Sequence, residues 1–130
     1  MFTIEQIEAA NAKVKSGADF PRLAQDLIEL GVKTNDVFVS DGHAEYFGEN
    51  DFTVKTNAMY SPLEIANESD AENFKNYLKI HQQGQTDYPT FCRHSAETGV
   101  EKWTLDFTRM TCTYLDKKGN EMLIEKIPTL

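Results

Sequence analysis

Two cysteines and a histidine are the side chains best suited to bind a metal ion. Cys92 and His94 form a Cys-x-His pair, and Cys112 follows later in the chain. Zinc is bound by thiolate and imidazole ligands. An extended segment would place Cys92 and His94 on one face, with His43 as a fourth ligand. Both cysteines also suit a hydrophobic core, and the paired short spacings typical of zinc sites are missing. We therefore predict no metal and no cofactor, with these residues as the only weak candidates.

Cys92 is also the candidate nucleophile of the sequence. A catalytic thiol needs a base and an electropositive setting that lower its pKa. His94 or the distant His43 would have to be that base, because Arg93 would point away on an extended segment. No G-x-S-x-G, H-E-x-x-H, C-x-x-C or glycine-rich phosphate loop is present in the sequence. We assign no catalytic residue.

A group of acidic side chains surrounds two predicted turns. Residues 48–51 could present three oxygens to a hard cation, but they lack the spacing of an EF-hand loop. Asp41, His43 and Glu45 alternate, so one strand face would hold all three in an arrangement suited to acid–base chemistry. The alternative is that Asp, Asn and Gly serve the backbone geometry of the turns.

Polar and aromatic residues from three segments could line a ligand pocket between the sheet and the helices. Such pockets combine apolar and aromatic walls with a few polar groups. The residues expected to line this one are His43, Asp87, Tyr88, Cys92 and Trp103.

Two helices are predicted at the start of the chain. Residues 3–15 begin with a capping box and carry an apolar stripe at helical spacing, and Ser16-Gly17 should end the helix. Residues 19–30 follow after a short connection, with Gly31 as a left-handed cap. The short connection predicts an antiparallel helical hairpin.

A third, longer helix is predicted at residues 69–83. Ser69 and Glu72 form a capping-box pattern, and Gly84 should close the helix. Residues 85–99 are expected to be irregular or briefly helical.

The remaining segments have strand character. Asp41-Gly42 between β-prone runs predicts a hairpin in which both turn residues have positive φ. The other expected strands are residues 52–55, residues 63–65, a long segment from residue 99 with a β-bulge near residues 108–109, and residues 121–127.

The order of these elements predicts an α+β fold with a mainly antiparallel sheet and one long helix packed on it. With 130 residues, of which 40% are hydrophobic and 26% charged, the chain fits a single domain over residues 1–130. We find no repeat in the sequence.

Charge and termini predict the compartment and the class of partner. The net charge is −8, and residues 1–90 hold fifteen acidic and seven basic residues, which accounts for all of it. This excess disfavours direct nucleic-acid binding and favours a basic protein partner. No signal peptide or membrane-length apolar run is visible. We therefore expect a cytoplasmic protein with no membrane segment and with reduced thiols.

Several longer motifs resemble the YdfO-like (YbcV-like) family, small proteins of unknown function from bacterial genomes and prophages, often labelled phage envelope proteins. The resemblance runs nearly from end to end and implies a small single-domain α+β fold. It implies no catalytic, metal or ligand residues, and the envelope label fits poorly with a chain that lacks a membrane segment. The motifs that carry it are Asp41-Gly42-His43, Tyr46-Phe47-Gly48-Glu49-Asn50-Asp51, His81-Gln82-Gln83-Gly84, Thr86-Asp87-Tyr88, Phe91-Cys92, Glu101-Lys102-Trp103 and Met110-Thr111-Cys112-Thr113-Tyr114.

The function expected from these observations is a non-enzymatic protein-interaction factor of bacterial or prophage origin. A homo-oligomer is compatible with it. The alternative is a small-molecule-binding protein or enzyme that uses the pocket defined above. A virion structural component is a third hypothesis, for which the sequence offers no assembly signal.

Overall fold

A computed structural model of the chain describes residues 1–15 and 19–128. In these ranges the helices are α1 (Ile4–Ala12), α2 (Phe20–Leu30), α3 (Ala71–Gln82) and α4 (Tyr88–Glu97). The strands are β1 (Thr34–Phe38), β2 (Ala44–Phe47), β3 (Thr53–Lys55), β4 (Val100–Asp106), β5 (Thr111–Asp116) and β6 (Glu121–Lys126). The strands form one antiparallel sheet in the order β3-β2-β1-β4-β5-β6. The predicted α+β class and the N-terminal helix pair are confirmed.

Capping residues determine where the helices begin and end. Thr3 and Gln6 form the predicted capping box of α1, and Gly31 ends α2 with a φ of 97°. The predicted stop at Ser16-Gly17 lies outside the described residues. The cap predicted at Ser69 is wrong, because Asp70 instead accepts the hydrogen bond at the start of α3.

Residues 85–99, expected to be irregular or briefly helical, contain the ten-residue helix α4. The Asp87 side chain accepts a hydrogen bond from the Thr90 N–H at 2.9 Å and starts the helix. Pro89 fits in the first turn, where its missing N–H costs no hydrogen bond.

Three predictions about the sheet are wrong. The long strand after Gly99 is a β4–β5 hairpin, with a turn where a bulge at Thr108-Arg109 was expected. Residues 63–65 are not a strand, although Ile65 is buried. In Asp41-Gly42 only Gly42 has positive φ, because the β1–β2 connection is longer than a two-residue turn.

The described helices pack on one face of the sheet. Tyr46 of β2 has its hydroxyl 3.3 Å from the Asn11 amide of α1. The Tyr114 ring of β5 lies 4.7 Å from the Phe74 ring of α3, and Phe91 of α4 lies 5.7 Å from Trp103 of β4. This face and the helices enclose the hydrophobic core.

The fold is a tandem repeat of one helix–helix–strand–strand–strand unit, which contradicts the expectation of no repeat. The register shows an offset of 68 residues between the two halves. Asn35 pairs with Tyr46 in the β1–β2 ladder, and Trp103 pairs with Tyr114 in the β4–β5 ladder. The Val39 N–H donates to the Glu101 carbonyl oxygen, and the Phe107 N–H donates to the Lys33 carbonyl oxygen. Each donor and each acceptor is 68 residues from its counterpart, so the two hydrogen bonds are equivalent. The halves are therefore related by a local twofold axis between β1 and β4.

Backbone conformation and sparse identities follow the same offset. Positive φ angles recur at Gly31 and Gly99, at Gly42 and Met110, and at Asp51 and Gly119. The identical residues at this offset include Asp19 and Asp87, Pro21 and Pro89, Gly31 and Gly99, Val32 and Val100, and Tyr46 and Tyr114.

Of the helices in the described ranges, none is both long and apolar enough to cross a membrane.

Candidate functional site

Cys92 lies on α4, and its thiol is buried between aromatic side chains. The Tyr60 and Tyr88 hydroxyls lie beside it, and the Tyr60 hydroxyl donates to the Val39 carbonyl oxygen. Burial raises the pKa of the Cys92 thiol, and the two tyrosines offset this only in part. Burial likewise raises the pKa of Cys112 to about 12. Both groups are protonated thiols near neutral pH, which is unsuitable for a nucleophile.

The three weak metal candidates do not converge. Cys92 and His94 lie two residues apart on a helix and point to different sides, so the predicted extended segment is wrong. The His94 ring stacks on Tyr77 at 3.8 Å, and Cys112 is buried in β5. In residues 1–15 and 19–128, no group of three His, Cys, Asp or Glu side chains could hold a metal ion.

Three of the five predicted pocket residues come together. The Tyr88 ring meets Trp103 edge-on at 6.4 Å, and its hydroxyl lies near enough to Cys92 to offset part of the burial that raises the pKa of the thiol. Asp87 is instead exposed as the cap of α4. His43 lies on the other face of the sheet from Trp103, because its neighbour Ala44 faces the core.

A cavity of about 290 Å³ adjoins Cys92. Its walls are Met59, Tyr60, Ser61, Leu63, Pro89, Cys92 and Arg93. Of the predicted lining, only Cys92 reaches it. Ligand binding here remains a prediction.

Residues 48–51 do not gather their oxygens around a common point. Glu49 pairs with Lys33 at 3.7 Å, and Asn50 and Asp51 have positive φ angles within a short 3-10 turn. The side chains are exposed. Turn geometry accounts for this composition.

Asp41, His43 and Glu45 share one side of the sheet, as predicted. His43 Nδ1 contacts the Asp41 carboxylate, and His43 Nε2 lies 3.4 Å from Glu45 Oε2. The ring stacks on Phe38 with centroids 4.4 Å apart. A hydrogen bond from the His43 backbone N–H is the main reason why the pKa of Asp41 is lowered.

The neighbouring strand pair adds an ion pair that the sequence analysis missed. Lys102 Nζ lies 3.6 Å from Asp36 Oδ2 and 5.5 Å from the centre of the Phe38 ring. The Thr104 hydroxyl donates to Asp36 Oδ1 at 2.7 Å. The β1–β4 pairing creates this cluster across 66 residues of sequence between Asp36 and Lys102, so no local pattern could have indicated it.

These side chains lie on the face of the sheet that the described helices leave uncovered. We call it the uncovered face, and alternation along the strands assigns its members. They are Thr34, Asp36, Phe38, Glu45, Phe47, Thr53, Lys55, Lys102, Thr104, Asp106, Thr111, Thr113, Leu115, Ile124 and Lys126. The face combines carboxylates at its centre with lysines and apolar side chains around them, a composition that suits contact with a protein surface.

A family model described as a protein of unknown function (DUF1398) matches residues 8–126. No curated protein matches the sequence.

Proposed function

The chain belongs to the DUF1398 family of unknown function, and from this premise we propose that it is a non-enzymatic factor that binds a basic protein. The observation that carries the proposal is the uncovered face. A six-stranded sheet with helices on one side presents a broad, rigid surface on the other. The YdfO-like resemblance, with its bacterial or prophage setting and a cytoplasmic location, belongs to the same proposal.

Charge supports a basic partner. Asp36 and Glu45 are neighbours across the β1–β2 ladder, and Asp41 lies beside them through His43. Within the cluster these three carboxylates face Lys102 and His43, and Lys55 lies opposite Glu45 across the β2–β3 ladder. Arginine or lysine side chains of a partner would find acceptors here, and the net charge of −8 would steer the encounter.

Apolar side chains supply the rest of the contact. Phe38 and Phe47 lie on the uncovered face of the first half, and Leu115 and Ile124 on that of the second. Ile124 is 52% exposed. Apolar groups next to charged ones are typical of protein interfaces, whose energy is concentrated in a few buried anchors.

Site-specific photo-crosslinking in the producing cell tests the proposal. A photo-reactive amino acid at Thr113, on the uncovered face, should crosslink a protein with a basic contact surface. The same group at Lys75, on the exposed side of α3, is the control and should not. Asp36→Asn and Glu45→Gln together should lower the yield at Thr113 about tenfold, because they remove two charges at nearly constant shape. Equal crosslinking from both positions would contradict the proposal.

The cavity beside Cys92 favours a second candidate, a small-molecule-binding protein. Its volume of about 290 Å³ is near the lower limit for a small ligand. The Tyr60 hydroxyl and the Ser61 hydroxyl in its walls are polar groups that could orient a ligand. A native mass spectrum of the purified protein should then show a bound molecule, which Leu63→Trp removes by filling the cavity.

A further inference from the structure

The second half of the molecule contains a groove that its own chain fills, which we call the filled groove. Residues 61–70 cross it between the end of α4 and the β5–β6 turn. Their backbone hydrogen bonds run from Leu63 N–H to Ser40 O (2.6 Å), from Ala66 N–H to Ala96 O (2.9 Å) and from Asp70 N–H to Thr98 O (2.8 Å). Ile65 is 5% exposed and belongs to the hydrophobic core. The segment is therefore held by backbone pairing and by one aliphatic anchor.

Gly99 and Lys117 complete the filled groove. A Cβ atom on Gly99 would lie 2.7 Å from the Glu68 carbonyl oxygen, so the segment passes directly over this glycine. Lys117 Nζ donates to Asn67 Oδ1 at 3.0 Å from the opposite wall.

The first half contains the same groove, which we call the open groove, and no segment among residues 1–15 and 19–128 crosses it. It encloses a cavity of about 490 Å³. Each wall residue of the filled groove named above has a counterpart, 68 residues away in the sequence, that lines the open groove. These pairs are Ser40 and Thr108, Ala96 and Ile28, Thr98 and Leu30, Gly99 and Gly31, and Lys117 and Glu49.

Within the described ranges, two of the three pairing carbonyls of the open groove are unused, and the third, that of Ile28, accepts the Gly31 N–H at 3.0 Å, as the Ala96 carbonyl accepts the Gly99 N–H at 3.2 Å. In residues 1–15 and 19–128, the carbonyl oxygens of Thr108 and Leu30 accept no backbone hydrogen bond outside the regular elements. A Cβ on Gly31 would meet no atom within 4 Å, in contrast to Gly99. Met1 and Phe2 also belong to its lining, and the Phe2 ring lies 4.9 Å from that of Phe52.

We propose that the open groove binds an extended peptide segment of a partner protein, in the way that the filled groove holds residues 61–70. None of its lining residues belongs to the uncovered face, so the proposal goes beyond the function given above. The partner segment would donate backbone N–H groups to the carbonyls of Thr108, Ile28 and Leu30. Extended peptides are commonly recognised through main-chain hydrogen bonds, with side-chain pockets adding specificity.

The walls specify the side chains of the bound segment. An aliphatic residue is required where Ile65 lies in the filled groove, because the walls formed by Ile28, Leu30 and Phe107 are apolar. On the opposite wall Glu49 replaces Lys117; it pairs with Lys33 of the same lining at 3.7 Å, but its side chain is 74% exposed and can accept from a second cation. A basic residue is therefore expected where Asn67 lies.

A peptide taken from the chain itself is a suitable probe. It has the sequence of residues 61–70 with N67K and a fluorescent label. Anisotropy titration should show saturable binding with a Kd below about 1 mM. The change I65D in the peptide should weaken binding about tenfold or more, because it places a charge in an apolar pocket.

Variants of the protein locate the site. Thr108→Trp blocks the open groove from an exposed position, and Thr53→Trp makes the same change on exposed β3 as the control. Gly31→Ala places a methyl group where the peptide should cross, as Glu68 crosses Gly99. We expect Thr108→Trp and Gly31→Ala to weaken binding about tenfold and Thr53→Trp to leave it unchanged.

Three results would overturn the proposal: no saturable binding up to about 1 mM, binding that Thr108→Trp and Gly31→Ala leave intact, or a dimer in the native mass spectrum that Thr108→Trp dissociates. The last result would identify a second copy as the occupant. Crosslinking from Thr113 does not involve the open groove, so failure here and failure of the proposed function are distinguishable.

Discussion

His81 is buried against the aromatic core in a way that opposes its protonation. Its ring stacks on Phe91 with centroids 4.4 Å apart, and Nδ1 lies 3.1 Å from the Thr86 carbonyl oxygen. Loss of solvation is the main cause that lowers the pKa of His81 below 6.5. The unfolded chain therefore binds a proton that the folded chain resists.

We expect this histidine to make the protein less stable in mild acid. Its contribution is complete above a pH of about 6.5 and is lost progressively as the pH falls below that value. Urea unfolding at pH 7, 6 and 5 should show a falling free energy of unfolding. His81→Phe, which keeps a ring against Phe91, should reduce that slope. The prediction fails if the wild type and the variant have the same slope.

Local residue patterns were enough to predict part of the candidate site. Asp41, His43 and Glu45 are close in the chain and alternate, so their shared face follows from strand geometry. Asp36 and Lys102 meet only because β1 pairs with β4. Sheet pairing between distant strands depends on the whole fold, and no spacing within either strand indicates it.

At the scale of elements, the two glycines that end α2 and α4 have the same conformation but different surroundings. Their φ angles are 97° at Gly31 and 90° at Gly99. Only Gly99 has another segment packed over it, with the Glu68 carbonyl oxygen in contact. A side chain at either glycine would be strained by the left-handed backbone. Only at Gly99 would its Cβ atom also overlap another segment.

Alanine substitution separates the two effects. Gly31→Ala should cost about 1 kcal/mol in the free energy of unfolding, because a left-handed conformation disfavours a Cβ. Gly99→Ala should cost about 1–3 kcal/mol more, since the methyl group also displaces residues 68–69. Urea unfolding of the free protein measures both. Equal losses would show that the segment at residues 61–70 gives way without cost.

The sequence predicted the helices better than the repeat. Capping residues and apolar spacing act locally, so α1, α2 and α3 were identified to within a few residues. The repeat was missed because equivalent core positions differ in volume and polarity, as at Leu27 and Ser95 or Asn35 and Trp103. A larger side chain at one core position is balanced by smaller ones beside it in the same half. The two halves therefore keep the same backbone although few of their residues are identical.

For the whole molecule, the relevant question is whether the two halves are independent. The six strands form one continuous sheet through the β1–β4 pair. The hydrophobic core also draws residues from both halves, among them Leu27 and Val39 from the first and Trp103 and Tyr114 from the second. A repeat of this kind should fold as one cooperative unit.

Two probes can follow the halves during urea unfolding. Trp103 is the only tryptophan and reports on the second half, while far-UV circular dichroism reports on all the helices. We expect coincident transitions with one midpoint. A tryptophan introduced by Tyr46→Trp, the counterpart of Tyr114, would give the first half its own signal, and separate midpoints for the two fluorescence signals would contradict cooperative unfolding.

The local twofold axis constrains the ancestry of the chain. Asp36 pairs with Thr104 at the centre of the β1–β4 ladder, and each is the other's counterpart at the offset of 68. If two identical half-chains associated through this ladder, the residue at that position would face its own copy. Two threonines tolerate this, but two aspartates repel each other. The present bond from Thr104 to Asp36 thus requires two halves that can differ, a freedom that a pair of identical half-chains lacks and that a fused and diverged duplicate has.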